Sequence, residues 1–385
     1  MSQRLKLRVI GLSEVLPKPV LEQAAADLPF DLEFVLIDGV RGLQRVVTRP
    51  ESFDIYHQWH TIDLIWTARA VQTIDLRKIK HGNQIRGQAQ SRQGDSRAIG
   101  SVYNKLFVQP SGRLGAAPTN EVAMLPLLHG VDAFGYLPSA LSEWPEGTPN
   151  SWGWLLDPRL HGRVAMMSDP VLGMIEASLA AEAAEKMKFG DISNLTIEEI
   201  DAVSDLLLHK KKIGHFKTIW KNYREAARCM QRGVVLQSMF SPSLALLRSE
   251  GIPVRCAVPE EGYRGWHVDL CISSATEGEQ LDAAYAYLNW WMNGKGGAIV
   301  ARQGYYFVLP NLVRAHLSES EWDYWYSGRP TETELLNSGG RPSIRPGEIR
   351  EGGSYFERMS RVRVWNTFMD EHTYVVRRWR EFLEG

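Results

Sequence analysis

Apolar positions along the chain alternate between short strand-like runs and longer runs of helical periodicity. The N-terminal third contains three runs with the pattern of strands: LKLRVIGL, DLEFVLID and FDIYHQ. Each is followed by a segment with the pattern of a helix: LPKPVLEQAAADL, GVRGLQRVVTR and TIDLIWTARA. This alternation predicts a parallel sheet covered by helices on both faces. The nearly continuous apolar stretch EVAMLPLLHGVDAFGYL predicts further strand.

A second α/β run follows the Pro-, Gly- and Trp-rich link EWPEGTPNSWGWLLDP. GRVAMMSD predicts a strand and PVLGMIEASLAAEAAEKM a helix, and Thr196 with Glu199 predicts a capping box on the next helix. Two α/β units, with chain crossings near residues 122–130 and 252–260, predict two lobes joined by a two-crossover hinge. We expect lobe I to comprise residues 1–124 plus 258–315, and lobe II residues 125–257.

The remaining residues, 316–385, are expected to form a helical C-terminal extension that packs on the lobes. Its last segment places six residues at helical spacing, which favours a packing stripe. These residues are Trp365, Phe368, His372, Val376, Trp379 and Leu383. The loop NSGGRPSIRPGEIREGG precedes this segment, and the sequence assigns it no role.

Length and charge narrow the class of protein. A chain of 385 residues exceeds one ordinary core, which favours two domains. Lys and Arg number 44 against 45 Asp and Glu, so nothing favours a nucleic-acid partner. The chain contains no run of 18 apolar residues, so the sequence predicts no membrane-spanning helix. The first residues lead directly into a predicted strand, without the apolar core of a signal peptide. Either the protein is cytoplasmic or the chain was written without its leader.

The three cysteines, Cys229, Cys256 and Cys271, lack the spacing of a zinc site. Cys256 and Cys271 could pair across neighbouring strands, but buried thiols that act as small apolar residues are the favoured interpretation. We expect no metal and no cofactor.

Ligands of open α/β sheets bind beyond the carboxyl ends of the strands. This rule selects the candidate ligand-binding residues, with Tyr305 of GYYFVLPN added to them. They are Ser13, Glu14, Gln58, Trp59, His60, Asp169, Phe240, Ser241, Trp266, His267, Asp269 and Tyr305. In SDP and SPS a short polar residue precedes a proline, which predicts capped helix starts that suit an anion, or plain capping without a ligand.

The aromatic residues Trp59, Phe240 and Trp266 predict walls suited to cations, alkyl chains or sugar faces, with core packing as the alternative. The sequence contains no GxSxG, HExxH, Walker or helix-opening GxGxxG motif, so we assign no catalytic residue and expect a protein that is not an enzyme. Two alternatives stay open. Tyr305 with Tyr306 would supply phenolate ligands to a ferric ion, and His267 or His60 would serve as a base in an enzyme.

Five motifs in a fixed order carry a family resemblance over roughly residues 5–315. They are FDIYHQWHTIDLIW, NSWGWLLDPRLHGRVAMMSDP, QRGVVLQSMFSPSLALLRSEGIPV, PEEGYRGWHVDLCISSATEGEQLDAAYAYLNWWM and GYYFVLPN. Together they resemble the spermidine/putrescine-type extracellular solute-binding proteins of ABC importers. That resemblance implies an α/β, type II periplasmic-binding-protein fold with the ligand in an interlobe cleft.

The resemblance also implies roles for site residues. Trp266 matches an aromatic position over the bound amine, and Phe240 matches a second one. Gln58, Trp59 and His60 match the binding loop of the first lobe. Asp169 lies near an acidic position that grips an amine.

Two departures from the family pattern bear on the ligand. Leu172 and Val268 stand where acids are expected, and Asp269 is shifted by one residue, which turns its side chain to the other face of a strand. Burying an unpaired ammonium costs several kcal/mol, so we expect a ligand with at most one or two positive charges, such as an amino acid, a betaine-like cation or an opine-like conjugate. Arg41, Arg264 and Arg302 are candidates for binding a ligand anion.

The expected function is therefore capture of a small cationic or zwitterionic organic solute for an ABC importer. The expected partners are that solute and the importer's permease, through which alone the protein is peripheral to the membrane. We expect a monomer in the periplasm, which predicts a signal peptide upstream in the genomic reading frame.

Overall fold

The computed structural model describes residues 4–91, 102–184 and 187–385. The strands are β1 (Lys6–Gly11), β2 (Asp31–Leu36), β3 (Ile55–Gln58), β4 (Val71–Gln72), β5 (Ile74–Asp75), β6 (Phe107–Val108), β7 (Leu114–Gly115), β8 (Glu121–Val122), β9 (Leu125–Asp132), β10 (Phe134–Tyr136), β11 (Val164–Met167), β12 (Phe216–Trp220), β13 (Leu236–Ser238), β14 (Arg255–Cys256), β15 (Tyr263–Ser273), β16 (Tyr306–Phe307), β17 (Leu335–Leu336), β18 (Pro342–Ile344) and β19 (Val362–Trp365). The helices are α1 (Lys18–Asp27), α2 (Gly39–Thr48), α3 (Ile62–Thr67), α4 (Gly82–Ser91), α5 (Pro170–Ala183), α6 (Ile197–Lys212), α7 (Tyr223–Gln231), α8 (Ser241–Ser249), α9 (Gly278–Trp291), α10 (Lys295–Ala301), α11 (Pro310–Arg314), α12 (Glu319–Trp322), α13 (Tyr355–Ser360) and α14 (His372–Glu384).

The chain divides into two compact units. The first unit consists of Met1–Gly130, Trp266–Trp322 and Ser338–Gly340. The second unit consists of Val131–Gly265, Asp323–Asn337 and Arg341–Gly385. The boundary falls inside β9 and inside β15, and most residues of the expected C-terminal extension belong to the second unit. The lobe boundaries and the hinge stay a prediction.

In the first unit a parallel core sheet aligns the strand ends. β1 pairs in parallel with both β2 and β3, and β15 runs antiparallel to β3, with Asp269 opposite Gln58. The strand order is β16-β9-β15-β3-β1-β2. Because parallel strands end at one edge, the residues that follow β1 and β3 lie at the edge where Asp269 also sits.

In the second unit three parallel strands are each followed by a helix. The order is β12-β11-β13-β10-β14, in which β11 pairs in parallel with β12 and β13. Helices α5, α7 and α8 begin directly after β11, β12 and β13. Three helix starts therefore lie at the carboxyl edge of this sheet. β12 was missed in the sequence because FKTIW is short and follows a lysine run that reads as helix.

The predicted helical stripe at the C-terminus is only partly correct. The segment forms α13, then β19, then α14, and β19 pairs in parallel with residues 263–265 of β15. The alternation RVRVW finds an open neighbouring strand there, and pairing with it outweighs the local helical spacing. On α14 the buried face consists of Val375, Trp379 and Phe382, one residue away from the predicted Val376 and Leu383.

α14 packs on α5 where Gly173 leaves room for an indole ring. A Cβ at Gly173 would lie 2.2 Å from Cζ2 of Trp379. Trp379 also donates from Nε1 to the carbonyl of Ser168, 3.1 Å away. The last helix is thereby fixed to the start of α5, next to the carboxyl edge of the sheet.

β15 begins earlier than the sequence indicates. GYRGWH reads as a turn that leads into a strand, but the strand starts at Tyr263 and every residue to Ser273 is buried. Trp266 and His267 are therefore strand residues. Cys256 and Cys271 are both buried free thiols, as the favoured interpretation expects.

A buried guanidinium joins four segments of the second unit. Arg264 of β15 is fully buried and donates from Nε to Oε1 of Glu176 on α5, at 3.0 Å. Its Nη2 reaches Oδ2 of Asp132 on β9 at 3.1 Å, and its Nη1 reaches Oδ1 of Asn366, just after β19, at 2.9 Å. Burial raises the pKa of Glu176 to about 7, although the charge of Arg264 opposes the rise.

Replacing Arg264 with Met should lower the free energy of unfolding by about 3–5 kcal/mol, because two buried carboxyl groups lose their common cation. Urea unfolding followed by circular dichroism measures this change. Arg380→Met, at an exposed position of α14, is the matched control and should change stability by less than about 0.5 kcal/mol. A loss below about 1 kcal/mol for Arg264→Met would contradict the structural role of the cluster.

The raised pKa of Glu176 predicts a pH dependence of stability. Between its ordinary value of 4.5 and about 7, the folded protein holds the proton of Glu176 more tightly than the unfolded chain does. The wild type should therefore lose stability relative to Glu176→Gln as the pH rises through this window, by about 1.4 kcal/mol for each unit of pKa difference. Urea unfolding of both proteins at several pH values checks the slope, and a constant difference would contradict it.

Candidate ligand-binding site

A fully buried carboxylate occupies the carboxyl edge of the first unit's sheet. Oδ2 of Asp269 accepts hydrogen bonds from Nε2 of Gln58 and, at 2.7 Å, from Nδ1 of His267. The Gln58 amide is oriented by Thr61, whose backbone N–H donates to Oε1 at 2.7 Å. Oδ1 of Asp269 has no hydrogen-bond partner among the described residues. A buried carboxylate oxygen without a donor is energetically costly.

Trp266 lies three residues earlier on β15, and strand alternation turns it to the opposite face from Asp269. Its ring meets that of Tyr305 edge-on, with the ring centroids 4.6 Å apart. A Cβ at Gly130 would lie 2.6 Å from the indole, so this glycine is what admits the ring. Nε1 of Trp266 has no hydrogen-bond partner among the described residues, although only 5% of the residue is exposed.

The remaining candidates of the first unit follow β1 and β3. Ser13 is exposed and donates from Oγ to Oε2 of Glu14 at 3.0 Å. Trp59 and His60 are half-buried, and their rings meet edge-on at 5.3 Å. His60 has φ of 42°, a left-handed conformation that bends the chain directly after β3.

Asp169 in the second unit is a helix cap, as the SDP motif predicts. Its Oδ1 accepts from the backbone N–H groups of Val171, at 3.0 Å, and Leu172, at 2.9 Å, at the start of α5. Burial raises the pKa of Asp169, while these two hydrogen bonds act in the opposite direction. The Asp169 side chain is half-buried, and both helix hydrogen bonds end on Oδ1, so the group serves structure whether or not it also serves a ligand.

The serine of the SPS motif, Ser241, does not cap a helix as the sequence predicted. Ser241 is the first residue of α8, and the capping position belongs to Phe240, which provides no side-chain cap. The start of α8 is thus left without the side-chain acceptor that Asp169 gives α5. Phe240 packs edge-on against Trp220, with the centroids 5.1 Å apart. Trp220 ends β12, and the sequence did not select it because that strand was missed.

The structure thus places the candidate residues in separate groups within the two units. In the first unit Gln58, His267 and Asp269 form one hydrogen-bonded set, and Trp266 with Tyr305 forms an aromatic pair. In the second unit Asp169, Phe240 and Ser241 all lie at the carboxyl edge of the sheet.

Each of the three arginines suggested for a ligand anion already has acidic partners. Arg264 is fully buried between Glu176 and Asp132. Arg302 pairs with Glu321, and the exposed Arg41 pairs with Asp38. In the part of the chain that the structure describes, no three His, Cys, Asp or Glu side chains are placed to hold a metal ion.

Comparison with known proteins gives one family match. Residues 141–327 match the family described as bacterial extracellular solute-binding protein. This match confirms the predicted resemblance. No curated protein matches the chain in sequence.

Several solved structures share the fold of this chain. One is the spermidine/putrescine ABC transporter substrate-binding protein PotD of Streptococcus pneumoniae, in complex with calcium and HEPES. It is 14% identical with a TM-score of 0.61, over 98% of this chain and 99% of that chain. The TpPotD lipoprotein of Treponema pallidum is 13% identical with a TM-score of 0.64, over 98% and 99% of the two chains. The binding protein AgtB of A. tumefaciens R10, in complex with agropinic acid, is 12% identical with a TM-score of 0.56, over 83% and 87%.

These comparisons confirm the predicted α/β periplasmic-binding-protein fold and, through the family match, the predicted function of an extracellular solute-binding protein. They do not favour the ferric-ion alternative or the enzyme alternative. The family is extracellular or periplasmic, binds small molecules, works with ABC importer permeases and is not a family of enzymes. None of the helices in the described ranges combines the length and apolar character needed to cross a membrane.

Two variants of Asp169 separate its capping role from its charge. Asp169→Ala should lower the free energy of unfolding by about 0.5–2 kcal/mol, because two helix N–H groups lose their acceptor. Asp169→Asn keeps an acceptor oxygen and removes a partly buried charge, so its stability should stay within about 0.5 kcal/mol of the wild type. Urea unfolding measures both, and equal losses for the two variants would contradict the capping geometry.

Proposed function

We propose that this solute-binding protein captures a small amine that also carries an acceptor group, such as an amino acid or an opine-like conjugate. The observation that carries the proposal is the buried Oδ1 of Asp269, which lacks a donor among the described residues. A ligand ammonium would supply that donor as a charge-assisted hydrogen bond.

The first unit contains a buried hydrogen-bond donor without an acceptor, as well as a buried acceptor without a donor, among the described residues. The indole N–H of Trp266 has no acceptor among the described residues, and it lies on the same strand as Asp269. Strand alternation places these two groups on opposite faces of β15, so Asp269 alone carries the argument for a ligand ammonium. Gln58 and His267 already occupy Oδ2 of Asp269, which leaves one acceptor oxygen and favours a single ammonium over several.

The second unit supports a zwitterionic ligand by its helix starts. The first turn of α8 has no side-chain cap, and the positive end of the helix dipole there suits a carboxylate. Asp169, at the start of α5, is the acidic group at the same edge. Ser13, Glu14, Trp59, His60, Phe240, Ser241 and Tyr305 complete the proposed ligand-binding set.

In this proposal the protein is a periplasmic monomer that delivers its solute to an importer permease and releases it chemically unchanged. Native mass spectrometry of the purified protein, followed by denaturation and identification of the released molecule, tests it directly. An amine or amino-acid-like mass is the expected result. An iron adduct, or a bound compound that is converted on incubation, would overturn it.

Binding of defined probes tests the role of Asp269. Putrescine and L-arginine carry ammonium N–H donors, whereas glycine betaine carries a cation without one. Asp269→Asn should weaken binding of the amine that binds best by about 2–5 kcal/mol in isothermal titration calorimetry, and should change betaine binding little. Asp282→Asn, at an exposed position of α9, is the control and should leave affinity unchanged. Equal affinity of wild type and Asp269→Asn for the amine would return Asp269 to a purely structural role.

A further inference from the structure

The second unit contains a cavity of about 730 Å³ that is separate from its helix-start edge. One wall is the C-terminal end of α8 with the chain that leads into β14, including Arg248, Val254 and Arg255. The opposite wall is β18 with the loop that follows it, including Ile344 and Arg345. A volume of this size lies within the range of small-molecule and cofactor sites.

The second wall gives structure to the loop that the sequence left without a role. β17 pairs antiparallel with β18, so that Leu335 lies opposite Ile344. The backbone N–H of Gly347, at φ of 83°, donates to the carbonyl of Thr331 at 2.7 Å and closes the next turn. These residues lie beyond 141–327, the stretch that matches the solute-binding family, so the wall is a feature of this chain in addition to that match.

One ion pair in the cavity wall is already satisfied. Arg248 pairs with Glu351 and also donates to the hydroxyl of Tyr324 at 3.3 Å. The neighbouring guanidinium of Arg248 holds the pKa of Glu351 below its ordinary value, against the effect of burial. This pair adds no net charge to the cavity.

Four other charged side chains line the same cavity, two of each sign. Arg255 and Arg345 are exposed, as is Glu334, and Glu348 is half-buried. In the described part of the chain, none of the four forms a salt bridge. Oε1 of Glu348 accepts from the backbone N–H of Arg345 at 3.2 Å. The cavity therefore presents two guanidinium groups, the Glu334 carboxylate and the second oxygen of Glu348 to a ligand with charges of both signs.

The rest of the lining suits an extended main chain with an apolar side chain. Val254 and Ile344 are buried, and Ile349 on the rim is 57% exposed, which is unusual for a large apolar residue. β14 is the last strand in its sheet, so the main-chain groups on its outer side have no neighbouring strand among the described residues. Edge strands of this kind pair with added peptide segments.

We propose that this cavity is a second ligand site and that it takes a short zwitterionic peptide with an apolar side chain. The peptide carboxylate interacts with both Arg255 and Arg345, its ammonium with Glu334 and Glu348, and its side chain packs on Ile344. The site is independent of the amine site proposed above, because its lining residues are separate from Asp269, Trp266 and the helix-start edge.

Titration of the full chain with L-leucyl-L-leucine tests the proposal, with N-acetyl-L-leucyl-L-leucine amide as an uncharged probe of similar shape. The free dipeptide should bind measurably and at least about fivefold more tightly than the capped one. Arg255→Glu and Arg345→Glu should each weaken its binding by about fivefold or more. Hydrogen exchange should show protection of residues 342–351 on binding.

Arg380→Glu, at an exposed position of α14 outside the cavity, is the matched control and should bind the dipeptide like the wild type. The affinity for the best amine probe should be the same in all three arginine variants, so failure of this proposal is distinguishable from failure of the amine site. Absence of dipeptide binding, equal binding of the two probes, or unchanged binding in both cavity variants would overturn the second site. Loss of dipeptide binding in Asp269→Asn would assign it to the amine site and also overturn the proposal.

Discussion

The hydrogen bonds of the buried Arg264 guanidinium are the interaction that holds the segments of the second unit together. It bonds to Asp132 at the end of β9, Glu176 on α5 and Asn366 after β19, so segments far apart in sequence share one cation. Asp132 and Arg264 lie within two residues of the points where β9 and β15 pass from one unit to the other. A buried charge cluster of this kind adds little net stability, but it tolerates few alternative arrangements of its members.

α5 connects this cluster to the chemistry of the helix-start edge. Its first turn is held by Asp169, its second turn carries Glu176, and its small residue Gly173 admits Trp379 of α14. One helix thus fixes the acidic edge residue, the buried ion cluster and the C-terminal helix together. The position of Asp169 is set by packing that extends well below the surface where a ligand would bind.

The first unit contains a buried carboxylate, Asp269, one oxygen of which has no hydrogen-bond donor among the described residues. Gln58 and His267 satisfy Oδ2 of Asp269 and fix its orientation, while Oδ1 is left for another donor. Folding an acid into such a position costs free energy that a bound cation returns. In the proposed function, a ligand ammonium supplies the missing donor, which is consistent with the family match.

The sequence by itself determined the α/β alternation, the strand ends and the resemblance, because each depends on local periodicity or on motifs in order. It also determined the caps at Asp169 and Thr196, since a cap is a bond within one turn. Only the tertiary structure decided that Tyr263–Gly265 are strand, that β19 interrupts the C-terminal helices, and that Arg264 is buried rather than available to a ligand. These outcomes depend on partners that are distant in the chain. The first two depend on an open strand edge, and the last depends on three polar groups around one cation. The local sequence pattern contains no information about such partners.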